Sequence, residues 1–139
     1  MDSSSLLLSG GKVLTPSMNI ITDDIHIDQS SGVIEAIEAG LDPTRFETSL
    51  DVSGCVCMPG LVNAHTHIAM TLLRGYSDDK PLNAWLREDI WPVEAQLTTE
   101  HIRAGTELGL VEMIRSGTTA FADMYFEIPE TVAAVDAAG

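Results

Sequence analysis

Pro59-Gly60-Leu61-Val62-Asn63-Ala64-His65-Thr66-His67 is the stretch on which the fold of this chain turns. Proline and glycine interrupt what precedes them, and Leu61 to Ala64 is a short apolar run of the kind a buried strand carries. Two histidines follow with one residue between them. In an extended segment residues i and i+2 face the same way, so both imidazoles can converge on one point. Neutral imidazole is a good ligand for Zn²⁺ and related divalent ions. A pair with this spacing also occurs as plain surface polarity, so its position matters as much as its spacing. Here it ends an apolar strand, and in β/α barrels functional sites gather at the C-terminal ends of the strands.

Beyond this stretch, short helices are expected around Ala69–Leu73 and Leu82–Ile90. The clearest helix runs from Thr99 to Ser116. Thr98 or Thr99 can cap its start, Glu100 suits its first turn, and Gly117 can end it. Ala104, Leu108, Val111 and Ile114 recur at helical spacing as its expected apolar face. Thr118 to Met124 then reads as a buried strand, and Pro129 to Ala138 as another helix.

Upstream, Leu6-Leu7-Leu8, Gly10-Gly11 and Lys12 to Thr15 suggest a hairpin. Ile25 to Asp28 alternates as a half-buried strand does, Ser30-Ser31-Gly32 is a turn, and Val33 to Ile37 is the partner strand. Residues 38–50 read as a loop, and Asp51 to Met58 as one more strand. The expectation is a small antiparallel sheet followed by parallel β/α units, an α/β protein. Two such units cannot close a barrel, which takes about 250 residues. The chain therefore reads as an N-terminal piece.

The 139 residues carry 7 basic and 21 acidic side chains, a formal charge of −14. That balance argues against a phosphate backbone or an anionic membrane as partner, because both require a basic footprint. No apolar run approaches the ~20 residues of a membrane span, and the start, Met1-Asp2-Ser3-Ser4-Ser5, is acidic where a secretory signal would be basic. Cys55 and Cys57 form a lone Cys-Val-Cys, read as small buried hydrophobes in a strand. A cytoplasmic, reducing location is expected.

Asp51-Val52-Ser53-Gly54, followed by Met58 through His67, resembles the start of the metal-dependent amidohydrolase superfamily. Met70 through Tyr76, Trp85-Leu86, Pro92-Val93-Glu94, Leu97-Thr98 and Asp123 through Phe126 narrow the resemblance. They are similar to the deaminases of 5-methylthioadenosine and S-adenosylhomocysteine and to their chlorohydrolase relatives. The resemblance implies strands of a small β-sandwich over residues 1–58. It implies the first βα units of a truncated (β/α)8 metallo-hydrolase barrel over 59–139.

It further implies that His65 and His67 are the first two ligands of one divalent metal ion, Zn²⁺ by preference. Glu94 would hold the ribose hydroxyls of a small nucleoside, since a carboxylate can accept from both members of a diol. Trp85 would pack on the substrate, although as a core anchor it needs no ligand. The remaining metal ligands and the acid–base group would lie in later strands, so no catalytic residue is assigned to 1–139 and the piece alone is expected to be inactive.

The implied reaction is hydrolytic deamination of a 6-aminopurine nucleoside. A triazine-type chlorohydrolase, a guanine or cytosine deaminase, and a non-catalytic barrel scaffold are the alternatives, and a homo-oligomer stays open. His26 is expected to be an exposed strand residue and His101 a solvated one. Asp123 is expected to play a structural or supporting part, and Arg74 either lines the pocket mouth or pins a loop.

Overall fold

The computed structural model describes residues 2–139; Met1, read with the acidic start, lies outside them. The chain forms two compact units, Met1–Pro59 and Gly60–Gly139.

The first unit is built from seven strands: β1 (Asp2–Ser9), β2 (Lys12–Leu14), β3 (Ile20–Ile21), β4 (Asp24–Asp28), β5 (Val33–Glu38), β6 (Phe46–Asp51) and β7 (Val56–Cys57). They form a four-stranded sheet ordered β5-β4-β1-β6 and a three-stranded sheet ordered β3-β2-β7. Central β1 carries Leu7, which is fully buried, and Ile25 of β4 and Val13 of β2 are buried as well. The β4–β5 hairpin forms around the expected turn. There the Asp28 carboxylate accepts from the Ser30 backbone N–H and from the hydroxyls of Ser30 and Ser31, while Gly32 takes a positive φ of 70°.

Several expectations fail in this unit. β1 and β2 do not form a hairpin: the chain leaves the larger sheet at Gly10, whose N–H donates to Asp24 Oδ1, and enters the smaller one. Residues 46–51, expected in a loop, form β6, which lies parallel to β1. The strand expected over 51–58 shrinks to β7, because a turn closed by the Cys55 N–H on the Val52 carbonyl occupies its first half. Neither sheet is purely antiparallel, since β7 also runs parallel to β2. Cys55 is consequently exposed and Cys57 half-buried, both as free thiols. His26 is half-buried against Phe46, with ring centroids 4.9 Å apart edge to face.

The second unit alternates strand and helix. β8 (Leu61–Thr66) is followed by a 3₁₀ helix (Ile68–Leu73), then α1 (Leu82–Ala84), a π-helical turn (Trp85–Ile90) and α2 (Trp91–Glu94). α3 (Thr99–Ser116), β9 (Thr118–Asp123) and α4 (Ile128–Ala138) complete it. β8 and β9 pair in parallel.

α3 has the expected bounds because both ends are encoded locally. The Thr98 hydroxyl accepts from the His101 N–H, and His101 Nδ1 accepts from the Thr98 N–H. This reciprocal cap gives His101 a structural task rather than a merely solvated one. Gly117, at a φ of 81°, ends the helix.

The face α3 buries is not the expected one. Ile102, Gly105, Thr106, Gly109 and Leu110 are covered, whereas Leu108 and Ile114 remain 44% and 61% exposed. Two glycines explain this. They let the 3₁₀ helix approach so closely that a Cβ on Gly105 would lie 2.3 Å from the Ala69 carbonyl oxygen. A Cβ on Gly109 would lie 2.5 Å from Ile68 Cγ1. The Thr71 hydroxyl donates across the contact to the Gly105 carbonyl at 2.6 Å. Close approach fixes the helix face here, and residue size rather than hydropathy selects it. Ile68, Leu110 and Ala134 form the core beneath.

Candidate functional site

His65 lies at the end of β8, and His67 stands one residue past it. Their ring centroids are 5.1 Å apart and edge to face, so the alternation of the strand does bring the two imidazoles together. His65 is exposed and His67 half-buried. His67 Nδ1 stands 2.6 Å from the Met124 carbonyl oxygen. A carbonyl can only accept, so Nδ1 carries a proton and Nε2 is the ring nitrogen left to ligate. A metal-binding histidine needs this arrangement, with one ring nitrogen anchored and the other free to ligate.

The anchor belongs to the end of β9, and the two strand ends interlock. The Met124 N–H donates to the Thr66 carbonyl. Asp123 Oδ1 accepts from the Ile68 N–H at 2.9 Å, pinning the turn that follows His67. Asp123 Oδ2 is buried without a hydrogen-bond partner. Among the described residues, no group of three or more His, Cys, Asp or Glu side chains comes together to hold a metal. The chain offers two imidazoles. They suit a divalent ion in donor chemistry but make an incomplete set by themselves.

Glu94, the last residue of α2, is half-buried, and its Oε1 accepts from the Tyr125 phenol at 2.8 Å. Burial first, then the bond to Glu94 and the negative charges of Glu94 and Asp123, push the Tyr125 phenol well above its ordinary pKa. It therefore stays protonated and donates. Tyr125 packs on Phe126 at 4.9 Å and stands 6.2 Å from the His67 ring. His67, Trp91, Glu94, Met124, Tyr125 and Phe126 line a cavity of about 270 Å³. A second cavity, about 420 Å³, shares Trp91, Glu94 and Phe126 with it. The larger cavity of the first unit, about 530 Å³, is lined by His26 and Phe46 and contains no second imidazole.

The aromatic wall beside Glu94 is Trp91, where the sequence pointed to Trp85. Trp85 sits half-buried on the π turn, and its indole N–H donates to the Ser77 carbonyl at 3.2 Å. Ser77 in turn donates to Asp89, which also pairs with Lys80 at 2.6 Å, so Trp85 closes the loop ahead of α1. Trp91 carried a usable signal, since it stands three residues before Glu94 and so shares its helical face. Arg74 pairs with Glu112 of α3 at 2.6 Å, which pins its loop.

The amidohydrolase family profile matches residues 56–139. Two curated relatives are named 5-methylthioadenosine/S-adenosylhomocysteine deaminase. The one from Haloarcula marismortui is 59% identical over 138 residues, and the one from Natronomonas pharaonis is 57% identical over 136. Each alignment covers 98% of this chain and 31% of the relative, so the chain spans about a third of their length. Among solved structures, an adenosine deaminase from Xanthomonas campestris with bound zinc superposes with a TM-score of 0.79 at 34% identity. That match covers 95% of this chain and 31% of the other. The chain belongs to the amidohydrolase family.

Proposed function

We propose that this chain is part of a metal-dependent aminohydrolase that replaces the 6-amino group of an adenine nucleoside with oxygen, consuming water and releasing ammonia. Residues 1–58 are the leading strands of a β-sandwich and 59–139 the first βα units of a (β/α)8 barrel; separate packing of the two units supports this division. The substrate class is that named for the deaminase relatives, a 5′-thioether or plain adenosine nucleoside.

The observation that carries this reading is the pair of imidazoles 5.1 Å apart at the end of β8, one of them anchored through Nδ1. His65 and His67 are the residues that would hold a divalent ion, Zn²⁺ by preference. Bound there, it would supply water activated at neutral pH. The Met124 carbonyl fixes the tautomer and orientation of His67. Glu94 accepts from the substrate hydroxyls, while Trp91 and Phe126 present apolar walls that exclude water from the ring. Tyr125 holds its proton and cannot serve as a base. No proton-transferring group is assigned to residues 1–139.

Metal analysis of the full-length protein tests this reading. The expected result is one tightly held divalent ion, lost in His65→Ala and in His67→Ala together with at least about 100-fold of the adenosine-deaminating rate. Full metal content and full turnover in both variants would overturn it.

A further inference from the structure

We infer that Tyr125 is a positioning residue: it holds the Glu94 carboxylate by one oxygen so that the rest of its acceptor capacity faces the hydroxyls of the ligand. The inference rests on the reading of Glu94 as the hydroxyl acceptor and adds what aims it.

Glu94 ends a helix of four residues and is only half-buried, so its side chain has little packing to fix its rotamer. What holds it is a neutral phenol, the Tyr125 hydroxyl donating to Oε1 at 2.8 Å. An ammonium or guanidinium in that place would neutralise the carboxylate and compete with the ligand. A phenol contributes one hydrogen and no charge. It fills one of about four lone-pair positions and leaves Oε2 whole for a vicinal diol. Tyr125 is itself fixed, with its ring against Phe126 at 4.9 Å and its neighbour's carbonyl, that of Met124, receiving the His67 N–H.

Two consecutive residues therefore aim two groups. The Met124 carbonyl sets the imidazole at the reacting end of the cavity, and the Tyr125 hydroxyl sets the carboxylate at the sugar end. A single peptide unit thus fixes the spacing between the groups that would read base and sugar. This predicts a preference for ligands that carry the diol at the right distance from the ring.

The test compares adenosine with 2′,3′-dideoxyadenosine in the full-length protein, as wild type, Tyr125→Phe, Glu94→Gln and the double variant. The readout is the ratio of the two kcat/KM values, together with the ratio of the two Kd values from tryptophan quenching in the metal-free protein. Both ratios are independent of the folded fraction, so a poorly folding variant still reports. Loss of a hydrogen bond to a charged group should lower the diol preference of Tyr125→Phe about tenfold, mainly through KM. Glu94→Gln should lower it further, and adding Tyr125→Phe to Glu94→Gln should change it less than about twofold, because the two act as one unit. A preference unchanged in Tyr125→Phe but collapsed in Glu94→Gln overturns the role of Tyr125 and leaves Glu94 standing. A preference unchanged in Glu94→Gln overturns the reading of Glu94 and the inference with it.

Discussion

The carboxylates and imidazoles of the two units differ in the reach of their bonds. In Met1–Pro59 three carboxylates bond their near neighbours, Asp28 to Ser30 and Ser31, Asp42 to Thr44 and Asp51 to Ser53, while Asp24 reaches no further than Gly10 and Leu41. In Gly60–Gly139 the bonds that matter join distant segments. His67 reaches Met124, 57 residues on, the Ile68 N–H reaches Asp123 across 55, and Glu94 reaches Tyr125 across 31. Local bonds shape turns and survive while those turns persist. Long-range bonds exist only when the whole unit is folded, so a site built from them is as cooperative as the unit itself.

Substitutions at four positions test that contrast, and both tryptophans of residues 1–139, Trp85 and Trp91, lie in the second unit and report on it. The largest effect is expected from Gly105→Ala, where the new Cβ meets the Ala69 carbonyl, a backbone atom that cannot rotate aside. Urea unfolding followed by tryptophan fluorescence should show a loss of about 3 kcal/mol. Gly32→Ala in the first unit meets nothing within 4 Å and carries only the strain of a φ of 70°, about 1 kcal/mol read from the strand signal in circular dichroism. Equal costs for the two would break the contrast.

Asp123→Ala comes next. It removes the acceptor of the Ile68 N–H in a residue only 1% exposed. A buried donor left unpaired costs about 2 kcal/mol. Asp123→Asn keeps an acceptor and should recover most of that loss; equal losses in the two variants would sharpen the contrast toward charge rather than hydrogen bonding.

The smallest effect belongs to Asp28. The hydroxyls of Ser31 and Ser30, with the Ser30 N–H, hold its carboxyl well below the usual carboxylate range. Because the folded value is depressed, its contribution is complete above the unfolded value, about pH 4. It is lost as the pH falls from there through the lower folded value. Asp28→Asn should therefore flatten the acid limb of the strand signal in circular dichroism and leave the tryptophan signal unmoved. An acid limb as steep as the wild type's would remove Asp28 from the account.

The same contrast decides what could be read in advance. The α3 boundaries, the β4–β5 turn and the convergence of His65 with His67 all follow from residues a few positions apart, and they were legible. β6 was not, because its parallel partner β1 lies some forty residues away and its own sequence, Phe-Glu-Thr-Ser-Leu-Asp, is mostly polar and mostly exposed. The buried face of α3 was missed because Gly105 and Gly109 carry no hydropathy signal. What selects them is how closely the 3₁₀ helix approaches. Tyr125 carries no signal of its own, since nothing near it in the chain announces Glu94 as its partner.

The π turn between α1 and α2 has a further consequence. There the Trp91 N–H bonds back to the Leu86 carbonyl, five residues earlier, so the turn holds one residue more than an α-helix would. Each residue advances an α-helix by about 100°. Deleting one of residues 85–90 would thus let the turn close to regular pitch with Trp91 and Glu94 still facing the phenol and the imidazoles, because the surplus residue is taken up inside the turn. The same deletion in a regular helix would rotate everything beyond it by that angle. A single codon at this turn can therefore be gained or lost by a lineage while the wall of the cavity beyond it keeps its aim.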